Sequence, residues 1–266
     1  MPKHLSHRSD PTQRFSNRVN NYVRYRPRYP KSILTTLTQA CGLTQHAAIA
    51  DLGSGTGFLS ELFLANGNSV WAVEPNAEMR TAAEALLKQV PQFHSVSGRA
   101  EATTLAEQSV DFVVAGQAFH WFSRDRTRQE CLRILRPQGW VVLIWNKHKT
   151  TATPFLVTYE QLLQQYAVDY SEVTQRQEAA ADLDRFYGLG QFTQRTFDHQ
   201  QTFDWLGLKG RLLSSSYMPD INHPNYQPTL TALAEVFADF AVDGKVQFLY
   251  ETQMYFGRLT AELISS

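Results

Sequence analysis

AIADLGSGTGFLSELF, residues 48–63, carries a short apolar run into Asp51, then three glycines at alternate positions, Gly53, Gly55 and Gly57, and then apolar residues at helical spacing. That order reads as strand, glycine loop, helix. Glycine takes positive φ without strain and lets a ligand lie against the backbone. At the carboxyl edge of a strand in a doubly wound sheet, such a loop sits where the strand order reverses and ligands bind.

The pattern repeats outward from there. ILTTLTQACGL (33–43) reads as a helix before the loop; SVWAVE (69–74) follows as a strand and AEMRTAAEALLKQV (77–90) as a helix. Further strands are predicted at QFHSVSG (92–98), SVDFVVAGQ (109–117) and GWVVLIWN (139–146), with DRTRQECLRILRP (125–137) helical between the last two. Such alternation requires right-handed crossovers and a parallel sheet covered on both faces. Past residue 150 the regularity fades. Helices are predicted over 153–168, 178–189, 205–216 and 230–240, and strands over 191–203 and 245–256. The expected fold is therefore α/β: a Rossmann-like, doubly wound, mostly parallel seven-stranded sheet with helices on both faces and a mainly helical cap inserted after the fifth strand. Residues 1–30 are expected to form an N-terminal arm or lid, 31–150 the cofactor-binding core, and 151–266 the cap plus the last strands of the same sheet, one domain overall. No internal repeat divides the chain.

Composition bounds the function. With 43% hydrophobic and 19% charged residues among 266, the chain is ordinary for a globular enzyme and wrong for disorder or a coiled coil. Cys41 and Cys131 belong to no metal-ligand or CxxC pattern, and the histidines show no ligand spacing, so no metal is expected. The first residues, MPKHLSHRSDP, lack the apolar run of a signal peptide, and no stretch reaches the roughly 20 apolar residues of a membrane span. A cytoplasmic location and no membrane partner are the expectation. Net charge is zero, yet Lys3, Arg8, Arg14, Arg18, Arg24, Arg26, Arg28 and Lys31 face only Asp10 within the first 31 residues. That basic arm is either a solvated tail or an attractor of an anionic ligand. Its helical part, within FSNRVNNYVRYRPRYP (15–30), is expected to stop at Pro27 and Pro30.

Two cofactor classes use a glycine loop of this kind. The dinucleotide fingerprint is GxGxxG, but its third glycine is replaced here by Phe58. GxGxG with an acidic residue two places ahead resembles motif I of the class I S-adenosylmethionine-dependent methyltransferases. In that family, the loop backs the methionine moiety and the acidic residue, matched by Asp51, contacts its ammonium. Gly53, Ser54, Gly55 and Gly57 are the corresponding loop residues. Glu74, about 20 residues on, ends the second strand where a carboxylate accepts hydrogen bonds from ribose hydroxyls. By the resemblance, Pro75, Asn76 and Met79 line the adenine side. SGRAEATTL (97–105) matches the adenine-contacting turn, with Ala100 and Glu101, although Arg99 stands where the family often has an acidic residue.

The fourth strand ends in AGQAFHWF (115–122), which puts Gln117 at the edge where the methyl is transferred. This run is not the Asn/Asp-Pro-Pro-aromatic motif of nucleic-acid amino methyltransferases, so DNA is not expected as a substrate. Together with RYRPRYP (24–30), LIWN (143–146), GRLLSSSYMP (210–219) and LYETQMYFGRL (249–259), it is similar to small-molecule methyltransferases related to trans-aconitate methyltransferase, over nearly the whole chain. The resemblance implies methyl transfer to a small-molecule acceptor, a carboxylate or a hydroxyl. His120 is then either a general base or a packed wall beside Trp121 and Phe122. Asn146 either orients substrate or merely ends a strand. Tyr22, Tyr25, Arg26 and Tyr29 either close over the site or dock the arm, with Arg26 available to the cofactor's carboxylate or to an anionic substrate. Tyr217, in SSSY, is a candidate in the cap. Three competing readings remain: an RNA-directed methyltransferase, a non-catalytic S-adenosylmethionine-binding protein, and an NAD-dependent oxidoreductase on the same architecture.

Overall fold

The computed structural model describes residues 18–178 and 180–260, and, for 175–182, the backbone alone. The charges Lys3, Arg8, Asp10 and Arg14 of the basic arm lie outside the described residues. Ten helices are described. Helix α1 (Val19–Tyr25) ends just before Pro27 and is followed by α2 (Ser32–Cys41). The alternating core then runs β1 (Ala48–Leu52), α3 (Phe58–Ala65), β2 (Ser69–Val73), α4 (Ala77–Leu87), β3 (Phe93–Val96), β4 (Val110–Gly116), α5 (Arg124–Ile134) and β5 (Leu135–His148). The sheet order is β3-β2-β1-β4-β5-β7-β6, with the first five strands parallel, as the sequence requires. β1 is buried along its whole length, between one apolar layer that includes Phe63, Leu59 and Ile33 and another that includes Phe119, Phe186 and Ile134.

Beyond β5 come α6 (Pro154–Tyr166), α7 (Tyr170–Glu178), α8 (Ala180–Tyr187), β6 (Phe192–Phe203), α9 (Trp205–Leu213), α10 (Tyr226–Phe240) and β7 (Val246–Gly257). Strand β7 is antiparallel to both β5 and β6. The added helices lie on both sides of β6, α6–α8 before it and α9–α10 before β7, in the order read from the sequence past residue 150. The sequence left α7 unassigned, because YSEVTQRQE has too few apolar residues to show a period. The helix read over 125–137 stops at Ile134 instead. Pro137 disfavours the helical region at Arg136, and Leu135 turns extended to pair with Val110.

The ribbon of β6 and β7 outreaches the parallel strands and carries its own apolar cluster, with Phe248 and Tyr250 of β7 packed among Phe155, Tyr159, Phe203 and Leu212. Rings of Phe155, Tyr159, Phe203, Tyr250 and His148 all meet Phe248, with centroids 5.0–6.1 Å away. The arm is fastened to the same unit. Arg18 donates from Nη1 to the carbonyls of Leu213 (3.1 Å) and Ser215 (2.8 Å) and from Nη2 to Met218 (2.6 Å), satisfying orphan carbonyls at the end of α9. The Tyr25 ring occupies the place a Cβ would take at Gly210.

Because Phe248 is fully buried at the hub of this cluster, Phe248→Ala is expected to destabilise the protein by about 3–5 kcal/mol. Urea unfolding of both proteins at one temperature measures it; a loss below about 1 kcal/mol would mean the cluster does not unfold with the rest.

Candidate active site

Parallel neighbours β1 and β4 send their connections to opposite faces, and the crevice between them opens at the glycine loop. Gly53 (φ 63°) and Gly55 (φ 57°) take the left-handed region there, and a Cβ on Gly53 would lie 2.8 Å from Ala118 Cβ. Gly53 N–H donates to the Val73 carbonyl (2.9 Å), whereas Gly55 N–H donates to Glu74 Oε2 (2.9 Å) and Asn76 N–H donates to Glu74 Oε1 (2.8 Å). Asn76 then caps α4 by accepting from Met79 N–H at 2.8 Å. Burial pushes the Glu74 carboxyl up, against the downward pull of those two N–H groups and Arg80.

Asp51 is sealed from solvent. Its Oδ2 accepts from Ser60 Oγ at 2.7 Å, and its Oδ1 has no hydrogen-bond partner. Burial pushes its carboxyl up to about 7; the Ser60 hydroxyl pulls it down, and Glu74 adds a further rise. A buried carboxylate oxygen without a partner is costly unless a ligand supplies one.

Three adjoining clefts meet here. A cleft of about 860 Å³, counted to its open mouth, is lined by Glu74, Pro75, Met79, Ala100, Glu101 and Trp121, with Arg99 and Phe122 beside them. That size suits a nucleoside-bearing ligand. Glu101 accepts from Ser123 N–H (2.7 Å), which ties the adenine-side turn to the start of α5. A smaller recess holds Asp51, Gly53, Ser54 and Gly55, with Tyr22, Arg26, Tyr29, Gln117 and Asn146 opposite. The third and largest, about 1660 Å³ to its mouth, continues from Tyr22, Arg26, Gln117 and Asn146 to His148, Arg211 and Tyr217.

Gln117 is the hinge between these clefts and lines all three. Its φ of 57° is a left-handed conformation that costs a non-glycine residue about 1–3 kcal/mol, and its Nε2 holds the Asn146 carbonyl at 2.9 Å. Asn146 in turn accepts at Oδ1 from Thr252 Oγ1 (2.6 Å). Tyr22 also lines all three clefts, its ring 5.9 Å from Phe58 and 5.3 Å under the Arg26 guanidinium, and burial raises its hydroxyl. Phe58, where a dinucleotide fold has glycine, lies 3.7 Å beneath the Arg28 guanidinium.

Several candidates sit elsewhere. His120 lines none of the three clefts; it is buried in the turn Phe119–Trp121, its ring 4.7 Å from Trp121. Tyr25 also lines none and docks the arm on Gly210. Gly57 is the residue before α3, pressed against Leu87 and Ala83. Trp121 walls the first cleft rather than the large cavity. Arg211, His148, Glu160 and Tyr170 escaped the sequence reading, because they arrive from α9, β5, α6 and α7 and share no local spacing. Among the described residues no group of three His, Cys, Asp or Glu is placed to hold a metal, and no helix is long and apolar enough to cross a membrane.

Comparison with known proteins agrees with this geometry. Residues 50–143 match the family model described as a methyltransferase domain. An uncharacterized methyltransferase of Schizosaccharomyces pombe is 31% identical over 184 residues, 69% of this chain and 70% of that protein. An uncharacterized methyltransferase of Mycobacterium bovis is 37% identical over 139 residues, 52% of this chain and 54% of the relative. A solved putative type II methyltransferase from Anaeromyxobacter dehalogenans shares the fold, with a TM-score of 0.59 at 19% identity over 88% of this chain and 98% of that one. The cofactor is S-adenosylmethionine, and the site fits it: the partnerless Asp51 Oδ1 suits an ammonium, and Glu74 faces the nucleoside-sized cleft.

An ammonium partner favours ionised Asp51, whereas the free protein holds that carboxyl protonated below about pH 7. S-adenosylhomocysteine affinity is therefore expected to fall by up to about tenfold per pH unit below 7, with uptake of ligand releasing a proton. The folded value lies above the ordinary one near 4, so between those values the folded state binds more protons and the free protein loses stability as pH rises. Calorimetry in buffers of different ionisation enthalpy measures the released proton, and Asp51→Asn should flatten the slope. A pH-independent affinity in the wild type would contradict this account.

Proposed function

The chain belongs to the class I S-adenosylmethionine-dependent methyltransferases, and from that premise we propose that it methylates an oxygen of a small anionic acceptor, a carboxylic acid held in the large cavity beyond Gln117. When bound, the cofactor supplies an electrophilic methyl group on a sulfonium, so the protein's task is placement and exclusion of water. Glu74 binds the nucleoside side, Asp51 and the glycine loop orient the amino-acid end, and Tyr22 roofs both ligands. Gln117 and Asn146 form the wall at the junction.

The observation that carries the anionic acceptor is the pair Arg26 and Arg211. Both line the large cavity. Arg211 is buried, donating from Nε to Tyr250 Oη (2.9 Å) and from Nη1 to Ser215 Oγ (3.2 Å), while no hydrogen bond among the described residues uses its Nη2. Arg26 donates to the Ser214 carbonyl (3.0 Å), has an unsatisfied Nε, and is lowered from its ordinary range by burial and then by Arg211. Neither guanidinium has a carboxylate partner among the described residues, although buried cations ordinarily need one. Lys147 adds positive charge, Lys149 is paired with Asp198 (2.7 Å), and Glu251 is the one carboxylate among the described lining residues. An acid brought to this cavity completes the pairing. The floor and walls come from β5, β7, α9 and the arm, which suits a small molecule better than a polymer.

Titration with S-adenosylhomocysteine and separately with NADH tests the premise: binding of the first alone, weakened by Asp51→Ala and by Glu74→Ala, is expected. Succinate and 4-hydroxybenzoate are then titrated into the S-adenosylhomocysteine complex. Arg211→Gln should weaken the acids by about 10- to 100-fold, the worth of a charge-assisted hydrogen bond, with cofactor affinity unchanged. Equal binding of the uncharged amides of these acids would sink the anionic-acceptor reading.

A further inference from the structure

We infer that His148 is the general base of the transfer, held in its working tautomer by Glu160, and that the group methylated is therefore a hydroxyl of the acceptor rather than its carboxylate. The inference rests on the small-acid reading and deepens it. His148 lines the large cavity. It lies two residues beyond Asn146 on β5, on the same face of the strand and about 7 Å further along. Asn146 lines both that cavity and the recess of the glycine loop, so an acceptor lying against Asn146 comes within reach of the His148 ring.

The ring is built to accept a proton from that direction. His148 Nε2 is 3.0 Å from Glu160 Oε2, and the same oxygen accepts from Tyr170 Oη at 2.7 Å. Burial pushes the Glu160 carboxyl up, but hydrogen bonds from His148, Tyr170 and Gln164 bring it below its ordinary value, so it is ionised and accepts only. Nε2 must then carry the hydrogen, and neutral His148 keeps its lone pair on Nδ1. No hydrogen bond among the described residues uses Nδ1, and this atom is not fully buried, on a residue that lines the cavity. Rings of Tyr159 (6.1 Å) and Phe248 (5.6 Å) hold the imidazole edgewise. A carboxylate that fixes a histidine tautomer while the other nitrogen faces a ligand space is the arrangement that activates hydroxyl nucleophiles.

The step balances without another reactant. The acceptor's O–H bond breaks toward His148 Nδ1, the oxygen's electron pair forms the bond to the methyl carbon, and the carbon–sulfur bond breaks with its electrons leaving on sulfur. The proton rests on the imidazole, whose new charge Glu160 offsets. The acceptor's carboxylate, which stays on Arg211, serves as the handle. Charged and titratable groups around the ring are Tyr159 and Glu160 of α6, Tyr170 of α7, Arg211 of α9, Glu251 of β7, Lys147 of β5 and Lys149 just after it.

The test combines a readout of the ring with turnover. Nitrogen-15 NMR of the S-adenosylhomocysteine complex should show neutral His148 protonated on Nε2 and bare on Nδ1; a ring protonated on Nδ1 overturns the inference. Turnover is followed with a panel of hydroxy acids and their deoxy counterparts, 4-hydroxybenzoate against benzoate among them, by release of S-adenosylhomocysteine. His148→Gln is expected to lower kcat by at least about 100-fold and to erase the acidic limb of its pH profile, with cofactor affinity unchanged. Glu160→Gln should give a smaller loss and a displaced pH limb, which a purely structural tie between β5 and α6 would not move, and Glu160→Asp should recover part of it. Methyl esters formed equally from the deoxy acids, or full kcat in His148→Gln, overturn the base while leaving the small-acid acceptor intact. Wild-type protein that fails to bind S-adenosylhomocysteine would instead sink the methyltransferase premise.

Discussion

Two parallel strands that lie side by side but connect over opposite faces leave a gap that no side chain of the sheet fills, and that gap between β1 and β4 governs everything else here. The backbone at its rim is glycine-rich because a Cβ on Gly53 would run into Ala118. Gly116 at the end of β4 likewise leaves room for the Tyr29 hydroxyl. Asp51 is at the carboxyl end of β1, deep enough to be fully buried yet with one oxygen turned to the gap without a partner. The carboxyl value near 7 follows from that placement. The site is thus incomplete as the chain folds, and a cationic ligand group restores what burial removed.

The parallel half of the sheet supplies the cofactor clefts, whereas the antiparallel ribbon supplies walls of the large cavity proposed for the acceptor. Because β6 and β7 run 12 residues each, they carry Phe248 and Tyr250 beyond the last parallel pairing, and α6, α9 and α10 cluster on that extension. The arm then spans the two halves. Arg18 binds the end of α9, while Tyr22 and Arg26, one and two turns on, face the clefts. Separating the arm from α9 would uncover both ligand spaces together, so the packing that stabilises the cap also shields the reaction from water.

The alternating core was legible because each of its signals is local: a buried strand, a glycine loop, a helix with an apolar face. Asp51, Glu74 and Gln117 sit at positions that follow from strand ends alone. The acceptor cavity has no such signature. Arg211 falls in GRLLSSS, where a basic residue in a last helical turn ordinarily faces solvent and favours the helix dipole, and only the tertiary fold turns it inward onto Tyr250. His148 and Glu160 are separated by a turn and a capped helix start at Thr153, and nothing in their spacing distinguishes them from a surface pair. For His120 the sequence left base and packed wall both open; the fold places it in the 3₁₀ turn from Phe119 to Trp121, with its ring beside Trp121. The helix α7 went unread for want of an apolar stripe.

A guanidinium without a carboxylate is an expensive thing to bury, and Arg211 shows how the fold tolerates it. Its head lies 5.2 Å from the centre of the Phe248 ring and 5.8 Å from that of Tyr250, so two π faces offset part of the lost hydration. Tyr250 Oη and Ser215 Oγ satisfy two of its nitrogens. An internal carboxylate would have stabilised the empty protein further, but it would also have neutralised the cavity and competed with any acid for the same donors. Keeping the partner out of the chain leaves the charge for the ligand, in a place where low polarizability of the surroundings makes each ionic hydrogen bond stronger than it would be in water. The same reasoning applies to Asp51, with the sign reversed: its buried Oδ1 has no partner in the protein, as Arg26 and Arg211 have no carboxylate. On the proposed reading, the recess of Asp51 takes the cofactor's ammonium and the cavity of Arg211 the acceptor's acidic group, which orients two different small molecules toward one junction before any contact at the reacting atoms is made.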